Sequence, residues 1–181
     1  YKMIGKIFWT LLASRHGKVR IEILDDNYEF AEEDEHKYSP VPTEEGLRDP
    51  RFIYNLLEKT NGHKCCSLCH CEIESIVQGA HIYPVQAIKR RDDLTHEEKL
   101  RMATDKNNGI WLCENHHKLF DRGLIRFDGG KLQIMPRLNT SDAEFVKTIS
   151  TCDEIPSDIY TPEMDSYFQI RDEFYRQEKF Y

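Results

Sequence analysis

Two short pairs of potential metal ligands constrain this chain more than any other feature. Cys66 and Cys69 form a C-x-x-C pair, and Cys113 and His116 form a C-x-x-H pair more than forty residues later. Each pair falls at a predicted turn, and two such pairs supply the four ligands that a closed tetrahedral zinc site needs. In the alternative interpretation, Cys66 and Cys69 are only small buried hydrophobic residues, but this would not explain why two pairs have the same ligand spacing. The pattern therefore predicts a structural Zn²⁺ ion that joins two distant parts of the chain.

The first zinc pair has alternative ligands close by. Four residues lie near enough in sequence to replace Cys66, namely His63, Cys65, His70 and Cys71. Cys66 is preferred because its two-residue spacing from Cys69 gives the usual knuckle geometry. Cys152 lies far along the chain and is expected to have no metal role.

The charge of the chain is unevenly distributed. The formal net charge is −7, which by itself argues against nucleic acid as a partner. However, residues 27–49 carry eight acidic and two basic side chains, and residues 151–181 carry eight and three, so the remainder is net positive. No apolar run approaches the length of a membrane span, which predicts a soluble protein. Because clustered cysteines suit a metal site in a reducing compartment, a cytoplasmic location is expected.

Hydrophobic periodicity predicts short strands and helices in alternation. Residues 6–12 and 18–24 read as the two strands of a hairpin, and the acidic stretch 25–49 reads as a loop or linker. A helix is expected to start at Asp49-Pro50 and to stop at Asn61-Gly62. Its apolar face consists of Phe52, Ile53, Leu56 and Leu57.

The second half of the chain repeats this alternation. Residues 73–82 and 110–112 read as strands, joined by a polar connection whose one short helix is capped by Thr95. A helix over residues 114–122 is closed by Gly123, and a hairpin turns at Gly129-Gly130. A last helix starts at Thr161-Pro162, and its aromatic residues are expected to pack in the core rather than to stack on bases.

The zinc ligands leave one neighbouring histidine unassigned. Adjacent helical residues point about 100° apart, so His116 and His117 cannot share an ion. Asp121 follows His117 by four residues, which places both side chains on one face of the helix. An imidazole and a carboxylate so placed form half of a second metal site with open positions. In the alternative interpretation, Asp121 is an exposed partner of Lys118 or Arg122.

Two further polar residues complete an ordered series with His117. His81 ends a predicted strand between Gly79 and Pro84, where its ring would project into a cleft. A lone histidine at a strand end is more often structural than catalytic. Asn108 lies just before the second predicted strand. With it, the chain presents His81, Asn108 and His117 in this order, which favours a catalytic role for His81.

The segments that carry this series are GAHIYP, NNGIWLC and HHKLFDRGLI. Together they resemble the HNH endonuclease family over about residues 65–128, and in particular the branch with A-H-I-x-P and H-x-L-F-D-x-G motifs found in bacterial restriction and defence nucleases. The resemblance implies an α+β fold with a zinc-stabilised ββα-metal core, an N-terminal β-hairpin and flanking helices. The implied organisation is a hairpin plus acidic linker (1–49), an HNH nuclease domain with its zinc knuckle (50–137) and a C-terminal helical extension (138–181).

The resemblance also implies a role for each residue of the series. His81 would be the general base, and Asn108, with Asn107 as the alternative, would hold the hairpin and orient His81 through a hydrogen bond. His117 and Asp121 would bind one catalytic Mg²⁺ or Mn²⁺ ion, and cleavage would leave 5′-phosphate and 3′-hydroxyl ends.

The chain departs from the family pattern at one position. Many family members carry a further metal ligand just before the catalytic histidine, and this chain has Ala80 there. The expected consequence is an ion held either by two protein ligands with water and phosphate or with the help of a third, unassigned residue. Weak binding of Mg²⁺ without DNA is expected.

The predicted partner is double-stranded DNA. Five basic residues near the motifs are expected to contact phosphates, namely Lys89, Arg90, Arg91, Lys118 and Arg122. A sensor or recognition domain or subunit is a further expected partner, because nonspecific cutting would endanger a host genome, and a homodimer is one compatible assembly. Two alternatives stay open, a noncatalytic zinc module that binds nucleic acid or protein and an HNH nuclease that acts on RNA.

Overall fold

The structure, a computed structural model, describes residues 19–24, 27–32 and 47–178. The chain divides into two compact units with the boundary between Gly46 and Leu47. In the first unit, strands β1 (Val19–Leu24) and β2 (Asn27–Glu32) pair antiparallel. Strand β1 confirms one predicted strand, whereas the other, residues 6–12, lies outside the described residues.

Strand β2 corrects the loop that the sequence predicts for residues 25–49. The register pairs Ile21 with Phe30 and Ile23 with Tyr28. Aromatic and β-branched residues at every second position favour the extended backbone of a strand. The prediction of a loop rested on the high acidic charge of this stretch. The two-residue alternation of Tyr28 and Phe30 is too short to predict a strand without its pairing partner.

The second unit begins with helix α1 (Arg51–Lys59). The Asp49 carboxylate accepts a hydrogen bond from the backbone N–H of Arg51 at 2.8 Å, as expected of a residue that satisfies the first free donors of a helix. The helix ends where Gly62, at φ 84°, donates its N–H to the Leu57 carbonyl at 2.8 Å. The predicted start and stop of this helix are confirmed.

A two-stranded antiparallel hairpin follows, formed by β3 (Val77–His81) and β4 (Gly109–Cys113). Between the strands lie α2 (Val85–Lys89), α3 (His96–Thr104) and a 3₁₀ turn over Lys106–Asn108. The capping box of Thr95 and Glu98 is confirmed, whereas α2 was not predicted. The predicted strand 73–82 starts too early, because Ile73 is 60% exposed and its carbonyl closes a turn with the N–H of Val77.

Helix α4 (Glu114–Asp121) comes directly after β4, and a second hairpin of β5 (Ile125–Asp128) and β6 (Lys131–Ile134) follows it. The predicted turn at Gly129-Gly130 is confirmed, with both residues at positive φ. Helices α5 (Thr140–Ile149) and α6 (Pro162–Gln177) complete the chain, and only α6 was predicted. In the described parts of the chain, no helix combines the length and apolarity that a membrane crossing requires.

Helix α6 packs into the main hydrophobic core together with the β3–β4 hairpin and α4. Its Met164 and Phe168 are buried, and the Phe168 ring lies 5.1 Å from the Phe127 ring and 6.3 Å from the Phe120 ring. The predicted packing role of these aromatic residues is confirmed. The C-terminal helix therefore shares one core with the strands and helix that carry the predicted site.

Two glycines allow α1 to lie directly on the β3–β4 hairpin. A Cβ atom at Gly79 would lie 2.8 Å from Cδ1 of Ile53, and one at Gly109 would lie 2.8 Å from Cε2 of Phe52. A Cβ atom at either position would force the side chain that it meets to shift, Ile53 at Gly79 and the Phe52 ring at Gly109. The close approach brings the Phe52 ring against the end of β3, where His81 lies.

Candidate metal and active site

Four side chains converge where the loop before β3 meets the junction of β4 and α4. These are Cys66, Cys69, Cys113 and His116, whose ligand atoms all lie within 4.8 Å of one another. The Nδ1 atom of His116 is 3.4 Å from the Cys66 sulfur and 3.2 Å from the Cys113 sulfur. Three thiols and one imidazole in this arrangement match the donor set of a structural zinc site. The structure thus brings the four predicted ligands together.

The remaining ring nitrogen of His116 is held from outside the cluster. Its Nε2 atom lies 3.0 Å from the hydroxyl oxygen of Ser150, the residue that ends α5. A hydrogen bond from Nε2–H to Ser150 leaves the lone pair on Nδ1, which is the atom that faces the sulfurs. Ser150 therefore fits as an outer partner of the metal ligand, and the sequence contained no motif that would have found it.

Without a cation, the environment of the thiols favours their protonated form. Burial raises the pKa of Cys66, and burial also raises the pKa of Cys69 to about 12. Nearby thiolates add to both shifts, because like charges in a small volume repel. A metal ion supplies the positive charge that stabilises several thiolates together.

The neighbouring alternatives do not join this cluster. Cys65 and Cys152 lie 3.9 Å and 2.9 Å from opposite ring nitrogens of His70. The two nitrogens of an imidazole point in different directions, so Cys65 and Cys152 lie on opposite sides of the His70 ring and cannot bind one ion together with it. Cys152 is distant in sequence but not in space, since its backbone N–H also donates to the Leu68 carbonyl at 3.0 Å.

His81 lies at the end of β3, half-buried beneath α1. Its ring stacks on the Phe52 ring with 3.6 Å between centroids and 17° between planes. Its Nε2 atom is 2.9 Å from the carbonyl oxygen of Ala103 in α3. Because a carbonyl only accepts, Nε2 carries the proton and Nδ1 carries the lone pair. The fold thus selects the tautomer in which Nδ1 can accept a proton.

The environment of His81 lowers its pKa. Burial is the largest cause, the Ala103 carbonyl opposes it, and the positive charge of Arg48 lowers the pKa further, whereas the carboxylate of Asp121 raises it. The imidazole is therefore neutral, and able to act as a base, at neutral pH.

Asn108 is fully buried and ties together the two ends of the connection between the strands. Its amide oxygen accepts from the backbone N–H of Tyr83 at 2.7 Å, and its amide nitrogen donates to the carbonyls of Tyr83 and Met102 at 3.2 and 3.0 Å. These partners correct the predicted direct bond to His81, whose ring bonds to Ala103 instead. Asn108 holds the backbone on either side of His81, because Met102 adjoins Ala103 and Tyr83 follows two residues after His81.

The runner-up position, Asn107, has a different environment. Its side-chain oxygen accepts a hydrogen bond from the Thr161 hydroxyl at 3.3 Å, at the start of α6. It therefore links the 3₁₀ turn to the C-terminal helix rather than to the hairpin. Of the two asparagines, Asn108 is the one whose side chain braces the β3–β4 connection.

His117 and Asp121 lie together on the exposed side of α4, as their spacing predicts. The Nε2 atom of His117 is 3.5 Å from a carboxylate oxygen of Asp121. The other ring nitrogen, Nδ1, is 3.2 Å from the side-chain oxygen of Gln78 on β3. One nitrogen and one oxygen donor fit a divalent ion with open positions. Among the described residues, the zinc cluster is the one group of three or more potential ligands, so the His117–Asp121 pair stands as two ligands.

The comparison with known families agrees with this geometry. Residues 66–128 match the family model described as HNH endonuclease. No curated protein matches the chain. This HNH segment runs from Cys66 to the last residue of β5 and contains every predicted catalytic and metal-binding residue. The α+β fold with a zinc-type cluster in an HNH segment is thus confirmed, whereas the restriction and defence branch stays a prediction.

The five predicted DNA contacts also fall inside the HNH segment, but the fold treats them differently. Arg90 pairs with Glu178 at 3.0 Å, and Arg91 pairs with Asp93 at 2.5 Å. Such exposed ion pairs contribute little to stability and exchange readily for another anion. The other three, Lys89, Lys118 and Arg122, are exposed. Lys118 and Arg122 lie in and just after the helix that carries His117 and Asp121.

Proposed function

We propose that the protein is a metal-dependent endonuclease that hydrolyses phosphodiester bonds in double-stranded DNA. The observation that carries the proposal is the contact between the strand that ends at His81 and the helix of His117 and Asp121, where Gln78 on β3 lies 3.2 Å from His117 on α4. A neutral base beside an imidazole–carboxylate pair is what metal-assisted hydrolysis requires. The HNH match supports the same reaction class.

The side chains divide the reaction between them. The Nδ1 atom of His81 takes a proton from the attacking water, whose oxygen forms a bond to phosphorus as the bond from phosphorus to the 3′ oxygen breaks. The departing oxygen takes a proton from solvent, so the products carry a 5′-phosphate and a 3′-hydroxyl. A divalent ion held by His117 and Asp121, Mg²⁺ or Mn²⁺, would supply Lewis acidity at the phosphate and at the departing oxygen.

The zinc site supports this chemistry without taking part in it. Cys113 ends β4 and His116 lies in the first turn of α4, so a Zn²⁺ ion bound there would hold the strand and the helix at a fixed angle. His117, about 100° further round the helix, is then presented to the catalytic ion. Zinc at this position stabilises the fold. His116 therefore has a structural role, and His117 has a catalytic one.

The proposed substrate is DNA because exposed basic residues lie close to the site. Lys118 lies in the helix of the metal pair and Arg122 directly follows it, where both can bind phosphates on either side of the scissile bond. Arg90 and Arg91 would exchange their carboxylate partners for phosphate. A restriction or defence role would follow from the motif branch, and a recognition domain or subunit would then select the target.

Cleavage assays with matched variants test the proposal. Wild type, His81→Ala and His117→Ala are incubated with duplex DNA, single-stranded DNA and RNA in Mg²⁺ or Mn²⁺. We expect wild type to cut duplex DNA and both variants to lose cleavage while keeping zinc and thermal stability. His96→Ala, which changes an exposed histidine at the start of α3, serves as the control and should cut like wild type.

Each alternative outcome points to a different function. Equal inertness of wild type and His81→Ala on every substrate would favour a noncatalytic zinc module. Cleavage confined to RNA would favour an RNA-directed nuclease with the same site. His116→Ala provides a further contrast, because it should lose zinc and unfold, whereas His117→Ala should not.

A further inference from the structure

Arg171 is a charged residue completely enclosed by the protein. It lies in the middle of α6, is 0% exposed, and belongs to the part of the chain beyond the HNH segment. Its guanidinium lies between two aromatic rings, 3.6 Å from the Phe120 centroid and 4.0 Å from the Tyr175 centroid. A buried guanidinium is costly to desolvate, so its contacts identify what it holds in place.

The guanidinium joins the two arms of the candidate active site. Its Nη1 donates to the carbonyl of Ile82 at 2.9 Å, and its Nη2 donates to the carbonyl of Phe120. Ile82 follows His81 at the end of β3, and Phe120 precedes Asp121 at the end of α4. The planar fork of arginine thus spans the residue next to the proposed base and the residue next to the proposed metal ligand.

Tyr175, one helical turn after Arg171, makes the matching contact on the metal side. Its hydroxyl donates to the carbonyl of Asp121 at 3.0 Å. The last carbonyls of a helix have no partners within the helix, and a cation near them interacts favourably with the helix dipole. Helix α6 therefore caps the end of α4 through the backbone of Phe120 and Asp121.

The arrangement is not the one that stability alone would favour. The Nε–H of Arg171 is buried without a hydrogen-bond partner among the described residues. An apolar side chain of similar volume between Phe120 and Tyr175 would avoid this unsatisfied donor and the desolvation of the charge. What such a side chain could not do is bind the Ile82 and Phe120 carbonyls at the same time.

We propose that Arg171 and Tyr175 are positioning residues of the nuclease, which set the distance between the base on β3 and the metal pair on α4. The proposal rests on the proposed function, since it assigns these residues to that reaction. It makes the C-terminal helix a working part of the catalytic unit, although α6 lies outside residues 66–128. Displacement of a reacting group by about 1 Å can lower a rate on the order of 100-fold, so loss of either anchor should reduce turnover.

Three variants separate the anchors from simple packing. Tyr175→Phe keeps the ring and removes the hydroxyl that donates to the Asp121 carbonyl. Arg171→Lys keeps the charge but cannot bind both carbonyls, and Arg171→Met keeps most of the packing without either bond. Tyr160→Phe is the matched control, because it also removes one hydroxyl, whose partner is Asp165 at the start of α6.

The assay measures kcat, KM for duplex DNA and the Mn²⁺ concentration that gives half-maximal cleavage, together with zinc content and thermal stability. We expect Tyr175→Phe and Arg171→Lys to keep zinc and fold, to lower kcat by about 10-fold or more and to raise the Mn²⁺ requirement, with KM for DNA unchanged. Arg171→Met should lose more activity. A variant that only loosened the fold would lower thermal stability without changing the Mn²⁺ requirement.

The outcomes distinguish this proposal from the proposed function. If wild type cuts DNA and both Tyr175→Phe and Arg171→Lys match it in kcat and Mn²⁺ requirement, the positioning role is wrong and the nuclease assignment stands. If wild type cuts no nucleic acid, the proposed function and this inference are both overturned. If Arg171→Met fails to fold, Tyr175→Phe and Arg171→Lys still decide the question.

Discussion

The side-chain oxygen of Gln78 lies 3.2 Å from Nδ1 of His117. At its other end, the same amide donates from Nε2 to the Glu114 carboxylate at 3.4 Å, which fixes the orientation of the amide. Because the oxygen only accepts, Nδ1 carries the proton and Nε2 of His117 keeps its lone pair toward Asp121. Strand β3 thus carries both His81 and the residue that sets the tautomer of the proposed metal ligand.

Replacing Gln78 should weaken the catalytic ion without touching zinc. In Gln78→Leu, His117 loses the acceptor that orients its ring, and loss of such an outer partner typically costs about 10–100-fold in metal affinity or activity. We expect a rise of that size in the Mn²⁺ concentration for half-maximal cleavage, with zinc content unchanged. Gln133→Leu, an exposed glutamine on β6, is the control. Equal Mn²⁺ requirements in the two variants would contradict the role of Gln78.

Ser150 gives the corresponding prediction for zinc. Ser150→Ala removes the hydroxyl that lies 3.0 Å from Nε2 of His116 and should weaken zinc binding about 10–100-fold. The measurement is the loss of zinc, and of thermal stability, as a chelator is titrated. Ser166→Ala, on exposed α6 surface, removes a hydroxyl that bonds only to the Pro162 carbonyl and should behave like wild type. Identical chelator curves for the two variants would rule out the proposed outer contact.

The acid side of the pH–rate profile should report His81. Burial lowers its pKa below the ordinary value of 6.5, so the ring is neutral and active as a base above that lowered pKa and loses activity as the pH falls through it. The positive charge of Arg48 contributes to the lowering. Arg48→Gln should therefore raise the pKa of His81 and move the acid limb of kcat/KM to higher pH.

The control for this profile is another arginine of the same segment. Arg51 is ion-paired with Asp49 at 2.7 Å, and Arg51→Gln should leave the acid limb in place. The pKa of His81 can also be followed directly from its ring proton signals by NMR. An acid limb that moves to lower pH in Arg48→Gln would show that the charge of Arg48 does not act on His81 as inferred.

Asn108 should affect both stability and cleavage. Asn108→Ala leaves the N–H and the carbonyl of Tyr83 buried without their side-chain partner, and each unsatisfied group costs about 1–3 kcal/mol. We expect urea unfolding to show a loss of this order and cleavage to fall, because the backbone that holds His81 loosens. Asn107→Ala removes only a 3.3 Å bond to Thr161 and should cost less than about 1 kcal/mol. A larger loss of stability in Asn107→Ala would reverse the assignment of the two asparagines.

Much of the fold follows from local sequence. The capping box of Thr95 and Glu98, the turn at Gly129-Gly130 and the helix start at Thr161-Pro162 all appear where their residues predict. The ligand spacings of Cys66 with Cys69 and of Cys113 with His116 likewise predict the cluster that the structure assembles. In each case the physical cause lies within a few residues, in a cap, a turn or a helix face. Such features can therefore be predicted without knowing which distant segment packs against them.

The failures of prediction share one cause. Strand β2 needs β1 beside it, and the early part of the predicted strand 73–82 has no partner in β4, whose register with β3 starts at Val77. The partners that set each tautomer were also missed. Ala103 and Gln78 reach His81 and His117 across 22 and 39 residues of sequence, and side-chain contacts over such separations leave no periodic pattern.

Local sequence sets the two ligand pairs, the order of His81, Asn108 and His117, and most of the helices and strands that carry them. The orientation of these side chains depends on tertiary packing. Arg171 bonds to Ile82 across 89 residues, and this contact exists because α6 packs into the same core as the hairpin and α4. The identity of the ligands follows from local sequence spacing. The tautomer and burial of each histidine, and the distance between the two catalytic groups, depend on the distant segments that pack around the site.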